Sequence, residues 1–194
     1  FQVEITSVLP SSSVRNIGVI FDSALSMKQQ ISSICKVAHF HLRNIGSIRK
    51  FITREACEQL IHAFITSRLD YGNALLYGVP DSQLKRLQRI FHIAALIITL
   101  TPSSQHITPI LESLHWLPIQ QRIKFKILLL TFRSLHGLAP SYLADLVVPY
   151  VPKRSLRSEN QLMLTIPKTC LKTLGDRAFS SAVPTLWNSL PLEI

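Results

Sequence analysis

The sequence predicts a mainly α-helical protein that begins with a short β-hairpin and continues as a helical bundle and a second helical module. Over most of the chain, apolar residues recur at intervals of three and four, which is typical of amphipathic helices. Only the first residues alternate and are rich in β-branched side chains, as strands are. Hydrophobic residues make up 47% of the chain and charged residues 16%, a balance that excludes a disordered protein.

The N-terminal residues 1–25 are predicted to form the hairpin. Residues 2–9 and 14–21 have strand character, and Pro10 and the serines after it form a turn-rich segment between them. Gly18 lies inside the second strand pattern. A glycine at such a position indicates a β-bulge or the close approach of another backbone.

Residues 26–100 are predicted to form a bundle of helices. The first helix starts near Ser26, and Thr53 is a candidate N-cap for the second. The third opens at Pro80 and Asp81. The apolar side of the first helix comprises Ile31, Ile34, Ala38, Leu42 and Ile45. That of the second comprises Ala56, Cys57, Leu60, Ile61 and Phe64. That of the third comprises Leu84, Leu87, Phe91, Ala94 and Ile98.

Residues 101–194 are predicted to form the second module, with a boundary near residues 100–105. Its longest helix runs over Pro118–His136, because Pro118 suits a first turn and Gly137 suits the position after a helix end. This helix is apolar almost all round, which predicts a central core helix. Shorter helices are expected at 109–114, 140–147, 176–183 and 185–189, and residues 153–174 should be irregular or extended.

The charge balance predicts a polyanionic partner. Lys and Arg number 21 against 11 Asp and Glu, which gives a formal net charge of +10. Nucleic acid is the first expectation and an anionic membrane the second, although a basic protein can simply be well solvated.

Cysteine usage and the absence of targeting patterns predict an intracellular protein, nuclear or cytoplasmic. The cysteines, Cys35, Cys57 and Cys170, are odd in number and widely spaced, which favours reduced thiols. No signal peptide precedes the first strand, and the apolar runs are too short to span a bilayer. The chain starts with Phe1 and stops abruptly at Ile194, which suggests a fragment of a longer protein.

Two sets of basic residues are candidate phosphate contacts. Lys85, Arg86 and Arg89 share one side of the third helix, where they could follow a phosphate backbone or simply face solvent. A second basic stripe lies on the Pro118–His136 helix, and its charges must reach water, an acidic partner or phosphate. For this helix a purely structural role is favoured over phosphate binding. The stripe consists of Arg122, Lys126 and Arg133.

No pattern predicts catalysis, a metal site or a cofactor. Cys35, His39 and His41 cluster, but a zinc site needs a fourth ligand and usually closer cysteine pairs. Two-metal phosphoryl transfer needs clustered carboxylates. The aspartates here stand far apart, at Asp22, Asp70, Asp81, Asp145 and Asp176. The chain is therefore expected to bind rather than to catalyse.

Several strings resemble the region that follows the catalytic palm in LINE-type (non-LTR retrotransposon) reverse transcriptases. They include VRNIGVIFDSALSM, HAFITSRLDYGNALLYGVP and HITPILESLHWLPIQQRIKFKILLLTFRSLHGLAPSYLADL. Shorter matches are HLRNI, RSLRS and GDRAFSSAVPTLWNSLP. Together the strings cover nearly the whole chain: Val14–Met27, His41–Ile45, His62–Pro80, His106–Leu146, Arg154–Ser158 and Gly175–Pro191.

The resemblance implies a specific role for each part of the chain. The hairpin would be a primer grip, and Gly18 would bring its backbone close to nucleic acid. The primer-grip residues would be Arg15, Asn16, Ile17, Gly18 and Val19. The bundle would be a thumb that clasps an RNA/DNA template–primer without reading its sequence, with Lys85, Arg86 and Arg89 facing the duplex.

The resemblance also implies what the chain lacks. The paired catalytic aspartates, with the Mg²⁺ that the parent RNA-directed DNA polymerase would need, should lie upstream in the palm. The missing palm would be a partner of this chain, and no membrane contact is expected. The sequence departs from the family pattern, which usually has Cys at Gly72 and Arg in the region of Leu96. These departures favour an alternative: a decayed or domesticated helical protein-interaction domain without nucleic-acid function.

Overall fold

The computed structural model describes residues 2–3, 6–7, 11–152 and 163–191. Within these ranges the chain is mainly helical after its N-terminal strands, as predicted from sequence. Within the same ranges no helix combines the length and apolarity needed to cross a membrane. The predicted RSLRS segment, Arg154–Ser158, lies outside the described residues.

The chain divides into two compact units. The first comprises Phe1–Gly72 and Val79–Ile119, and the second comprises Asn73–Gly78 and Gln120–Ile194. The sequence placed a boundary near residues 100–105, whereas the helix that follows that point packs against the bundle and belongs to the first unit.

The described N-terminal strands pair in two separate antiparallel pairs, whereas the sequence predicted a single hairpin between residues 2–9 and 14–21. The strands are β1 (Gln2–Val3), β2 (Thr6–Ser7), β3 (Ser13–Asn16) and β4 (Val19–Asp22). β1 pairs with β2, and β3 pairs with β4, both antiparallel. Ile17 and Gly18 close the β3–β4 hairpin, which lies within the segment 14–21 that the sequence predicted to be a single strand.

Gly18 is a turn residue and not the predicted bulge. Ile17 and Gly18 have φ angles of 45° and 80°. A two-residue hairpin loop with positive φ at both positions matches the twist of the flanking strands, which is why such loops favour Asn-Gly. Here glycine occupies the second position, while a β-branched isoleucine takes the strained first one.

The first unit contains the predicted bundle. Its helices are α1 (Lys28–Ile48), α2 (Arg54–Ile61), a π-helix (His62–Thr66), α3 (Ser67–Asp70), α4 (Asp81–Thr99) and α5 (Ile107–Ser113). A 3₁₀ turn, Arg49–Phe51, links α1 to α2. The predicted apolar residues of α1 and α4 are all buried. Thr53 caps α2, since its Oγ1 accepts a hydrogen bond of 3.2 Å from the Ala56 backbone N–H.

Phe64 is exposed, although the sequence predicted it on the buried side of the second helix. The buried residues follow a spacing of four instead: Cys57, Ile61, Ile65 and Leu69. The π-helix explains the difference, because its wider turn shifts the inward-facing position by one residue. Ile65 consequently enters the core and Phe64 is 41% exposed.

Arg49 is a buried structural residue of the first unit. Its guanidinium donates to the backbone carbonyls of Ile97 (2.9 Å), Ile98 (2.7 Å) and Ile52 (3.0 Å). Ile97 and Ile98 are in the last turn of α4, where carbonyl groups have no partner within the helix. Arg49 thus joins the end of α1 to the end of α4.

The second unit is built around α6. It contains a 3₁₀ turn (Asn73–Leu76), α7 (Ser141–Ala144), α8 (Lys172–Gly175) and α9 (Phe179–Trp187), and most of α6 (Ile119–Leu135). After α6, Leu138 N–H donates to the Arg133 carbonyl (2.8 Å) around Gly137, whose φ is 68°. Gly137 therefore ends the helix as predicted. The helices expected at 176–183 and 185–189 are replaced by the continuous α9, which includes Pro184.

The prediction that α6 is a core helix on all sides is wrong. Its buried residues form one stripe: Ile119, Ile123, Ile127, Thr131 and Ser134. Phe125 and Phe132 lie on the opposite side and are 57% and 46% exposed. The leucines between them, Leu128 and Leu129, are partly exposed. The sequence overstated burial because apolar composition alone does not show how many neighbours surround a helix.

Candidate nucleic-acid interface

The basic residues predicted on the third helix are exposed together on α4. Lys85, Arg86 and Arg89 are all exposed, and Leu87, Phe91 and Ala94 hold the opposite side of the helix in the core. Arg86 Nη1 donates to Gln83 Oε1 at 3.0 Å, which orients the guanidinium along the helix.

The basic surface of α4 continues onto α1. Arg86 Nη2 donates to Ser32 Oγ at 3.2 Å. Lys36 and Arg43 are exposed on the side of α1 that carries Ser32, since they follow it at helical intervals. The basic face is defined here by its exposed cations, Lys36 and Arg43 of α1 and Lys85, Arg86 and Arg89 of α4.

Few negative charges oppose the basic face. No Asp or Glu occurs between Lys28 and Ile48, and Asp81 is the only acid of α4. Because the cations of these helices outnumber their one acid, they raise the local positive potential, and this face would attract polyanions.

The resemblance assigns residues 15–19 of the hairpin to a primer grip. The first four of them are exposed near the turn, whereas Val19 is buried. Arg15, Asn16 and Gly18 all lie on or beside the β3–β4 loop. The phenol of Tyr71 donates to the Ile17 carbonyl at 2.6 Å. A Cβ at Gly18 would lie 3.3 Å from the Tyr71 ring, so only a residue without a side chain avoids crowding there.

The hairpin is anchored to the start of α1. The Ile20 backbone N–H donates to Gln30 Oε1 (3.0 Å). Asp22 accepts hydrogen bonds from the backbone N–H groups of Ser26 and Met27, each at 2.9 Å. The Ser26 bond is the main cause that lowers the pKa of the Asp22 carboxyl. Asp22 thus stabilises the turn between β4 and α1, which agrees with the turn role expected from its isolated position in the sequence.

The second predicted basic stripe belongs to α6. Lys126 and Arg133 are exposed, and Arg122 is half-buried. They flank the exposed phenylalanines, so this side of α6 is apolar with a basic edge. No Asp or Glu occurs within Ile119–Leu135.

An aromatic cluster on α1 and the π-helix was missed by the sequence reasoning. It consists of Phe40, His41 and Phe64. The rings of His41 and Phe64 stack with centroids 4.8 Å apart, and Phe40 meets His41 edge-on at 5.4 Å. The helical wheel of α1 already places Phe40 opposite the apolar stripe, whereas no sequence signal showed the π-helix that exposes Phe64.

His92 lies in the wall between open clefts of the first unit. One cleft, of about 680 Å³, includes Trp116, and the other, of about 500 Å³, includes Arg89 and Leu96. Gln88 Oε1 accepts from the Ile119 backbone N–H (2.8 Å), so the Gln88 amide donates to His92 Nε2 (2.6 Å). That bond requires a neutral imidazole. Burial lowers the pKa of His92 in the same direction.

Cys35, His39 and His41 were weighed from the sequence as part of a zinc site. In the described part of the chain, no group of three or more His, Cys, Asp or Glu side chains is placed to hold a metal ion. Burial raises the pKa of the Cys35 thiol, although the nearby Arg86 opposes this effect. Cys35 is therefore a core thiol. All of the cysteines are free.

No protein-family model, curated protein or solved structure matches this chain.

Proposed function

We propose that this chain is the C-terminal, non-catalytic part of a non-LTR retrotransposon reverse transcriptase, and that it grips a template–primer duplex through phosphate contacts. The observation that supports binding most strongly is the basic face, in which exposed cations of two packed helices adjoin. The sequence resemblance supplies the polymerase context. A surface of this kind holds a phosphate backbone without distinguishing bases.

The arrangement of the first unit favours a clasp over a chance distribution of charge. Arg86 bonds to Ser32 across the α1–α4 contact, so the cations of both helices are held in a fixed relation. Tyr71 and Asp22 likewise fix the hairpin on the same unit. Prearranged cations bind phosphates at a lower entropic cost than mobile ones.

Charge removal tests this proposal. A Lys85→Ala/Arg86→Ala/Arg89→Ala variant should bind an RNA–DNA hybrid more weakly by a similar factor for unrelated sequences. Its salt slope should fall by about 1 for each phosphate that the variant no longer binds. The matched control replaces the exposed Lys124, Lys168 and Lys172, which removes the same charge outside the basic face. If both variants weaken hybrid binding equally, binding depends only on the net charge of the chain, and the proposal is contradicted.

A second function is favoured by α6. Its exposed phenylalanines and partly exposed leucines form an apolar surface of the kind that proteins usually cover. Under this alternative the chain is a helical protein-interaction domain. Association should then depend little on salt and should be abolished in a Phe125→Ser/Phe132→Ser variant, as measured by light scattering and partner titration. The hybrid-binding experiment distinguishes the two functions.

A further inference from the structure

We propose that the aromatic cluster, Phe40, His41 and Phe64, stacks unpaired bases of a nucleic-acid strand whose phosphates contact Lys36 and Arg43. This inference rests on the proposed function and deepens it, because it adds a site for single-stranded nucleic acid that shares Lys36 and Arg43 with the surface proposed for the duplex. Phosphate contacts alone would not require aromatic rings.

The first support is the exposure and packing of the rings. Phe40 is 61% exposed and Phe64 is 41% exposed, so Phe40 contributes little to the core. His41 stacks nearly parallel to Phe64, with an interplanar angle of 20°. That stack holds rings of two different elements in place, because α1 packs against the π-helix. A fixed, accessible set of rings is what base stacking needs.

The second support is the position of the charges. Lys36 precedes Phe40 by four residues and Arg43 follows it by three, which places both on the side of α1 that carries the ring. Each is about one helical turn from Phe40 along the axis. A strand that follows these cations would bring its bases over the rings. Cationic grooves beside aromatic side chains are the usual arrangement for single strands.

The third support is charge complementarity, which selects the occupant. No acidic residue occurs within four positions of either Phe40 or Phe64. A second copy of this chain placed on the cluster would bring like charges together, and such contacts are unfavourable. The surface therefore fits a polyanion that also carries flat rings.

Abasic strands separate stacking from phosphate binding. The experiment measures fluorescence anisotropy of the full chain with a single-stranded DNA oligonucleotide and with an abasic strand of equal length. Phe40→Ala should weaken binding of the normal strand by about 5- to 150-fold. The same substitution should leave the affinity for the abasic strand unchanged. Phe40→Trp should retain binding, because it keeps a ring, and Phe40→Leu should not.

Several outcomes would overturn the inference. An equal effect of Phe40→Ala on normal and abasic strands, or none on either, would exclude stacking. A change of oligomeric state in Phe40→Ala, seen by light scattering, would assign the cluster to protein contact. If Lys85→Ala/Arg86→Ala/Arg89→Ala weakens hybrid binding while Phe40→Ala has no effect on the single strand, the proposed function stands and this inference fails. If the unmodified chain binds no nucleic acid, both fail.

Discussion

Replacing Arg49 with methionine should destabilise the first unit strongly, because it removes three hydrogen bonds at once. The Nη2 bond to the Ile98 carbonyl is buried, and the bonds to Ile97 and Ile52 are partly buried. A buried carbonyl deprived of a charged donor costs about 1.5–3 kcal/mol, and each partly buried one costs about 1 kcal/mol. We therefore expect the free energy of unfolding to fall by about 3.5–5 kcal/mol.

The tryptophans allow this destabilisation to be measured in the first unit alone. Trp116 belongs to the first unit and Trp187 to the second. In a Trp187→Phe background, urea unfolding followed by fluorescence reports only Trp116, whose ring stacks on Phe91 at 4.4 Å. Arg43→Met is the matched control, since Arg43 is exposed, and its effect should be below about 0.5 kcal/mol. A destabilisation below about 1 kcal/mol for Arg49→Met would refute the contribution of the Arg49 hydrogen bonds to the stability of the first unit.

Further predictions concern the turn, the clefts and α6. Ile17→Asn should stabilise the first unit by about 1 kcal/mol, because asparagine tolerates the positive φ and the 82% exposed isoleucine contributes no packing. If the free energy of unfolding measured in urea does not rise, the backbone at Ile17 is not strained. Because the folded state lowers the pKa of His92, its contribution to stability should be complete above the ordinary value of 6.5 and be lost as the pH falls below it. Urea unfolding of the first unit, followed by Trp116 fluorescence at a series of pH values, checks this prediction. If the free energy of unfolding of His92→Asn depends on pH as strongly as that of the unmodified chain, the prediction is wrong. Ile127→Ala should lower the free energy of unfolding by about 2–5 kcal/mol and Phe125→Ala by less than about 1 kcal/mol. The measurement follows Trp187 fluorescence in a Trp116→Phe background. Equal losses for the two variants would mean that α6 is buried on both sides.

Local patterns predicted the bundle well because they depend on residues close in sequence. The period of the apolar residues identified the buried sides of α1 and α4, and Thr53 and Gly137 marked helix ends through their own chemistry. Lys85 and Arg89 were predicted on the outward side of α4 by the same periodicity.

Features that depend on distant partners were not predictable in this way. Arg49 resembles any other cation in the sequence, yet its partners lie at the far end of α4. Phe64 was assigned to the core because a regular period was assumed, and the π-helix altered that period. For α6, composition indicated burial on all sides, but burial depends on how many elements surround the helix. The turn at Ile17 and Gly18 was not predicted either, because the β-branched residues on both sides of Gly18 are typical of one continuous strand.

The most direct test of the proposed grip is the salt dependence of RNA–DNA hybrid binding by the unmodified chain. The measurement compares hybrids of equal length and unrelated sequence across a range of salt concentrations. If each of the five cations of the basic face releases counterions from one phosphate, the logarithm of the binding constant should fall linearly with the logarithm of the salt concentration, with a slope of about −4.5. The slope should be the same for every sequence. Absence of binding at low salt, or a slope near zero, would contradict the account.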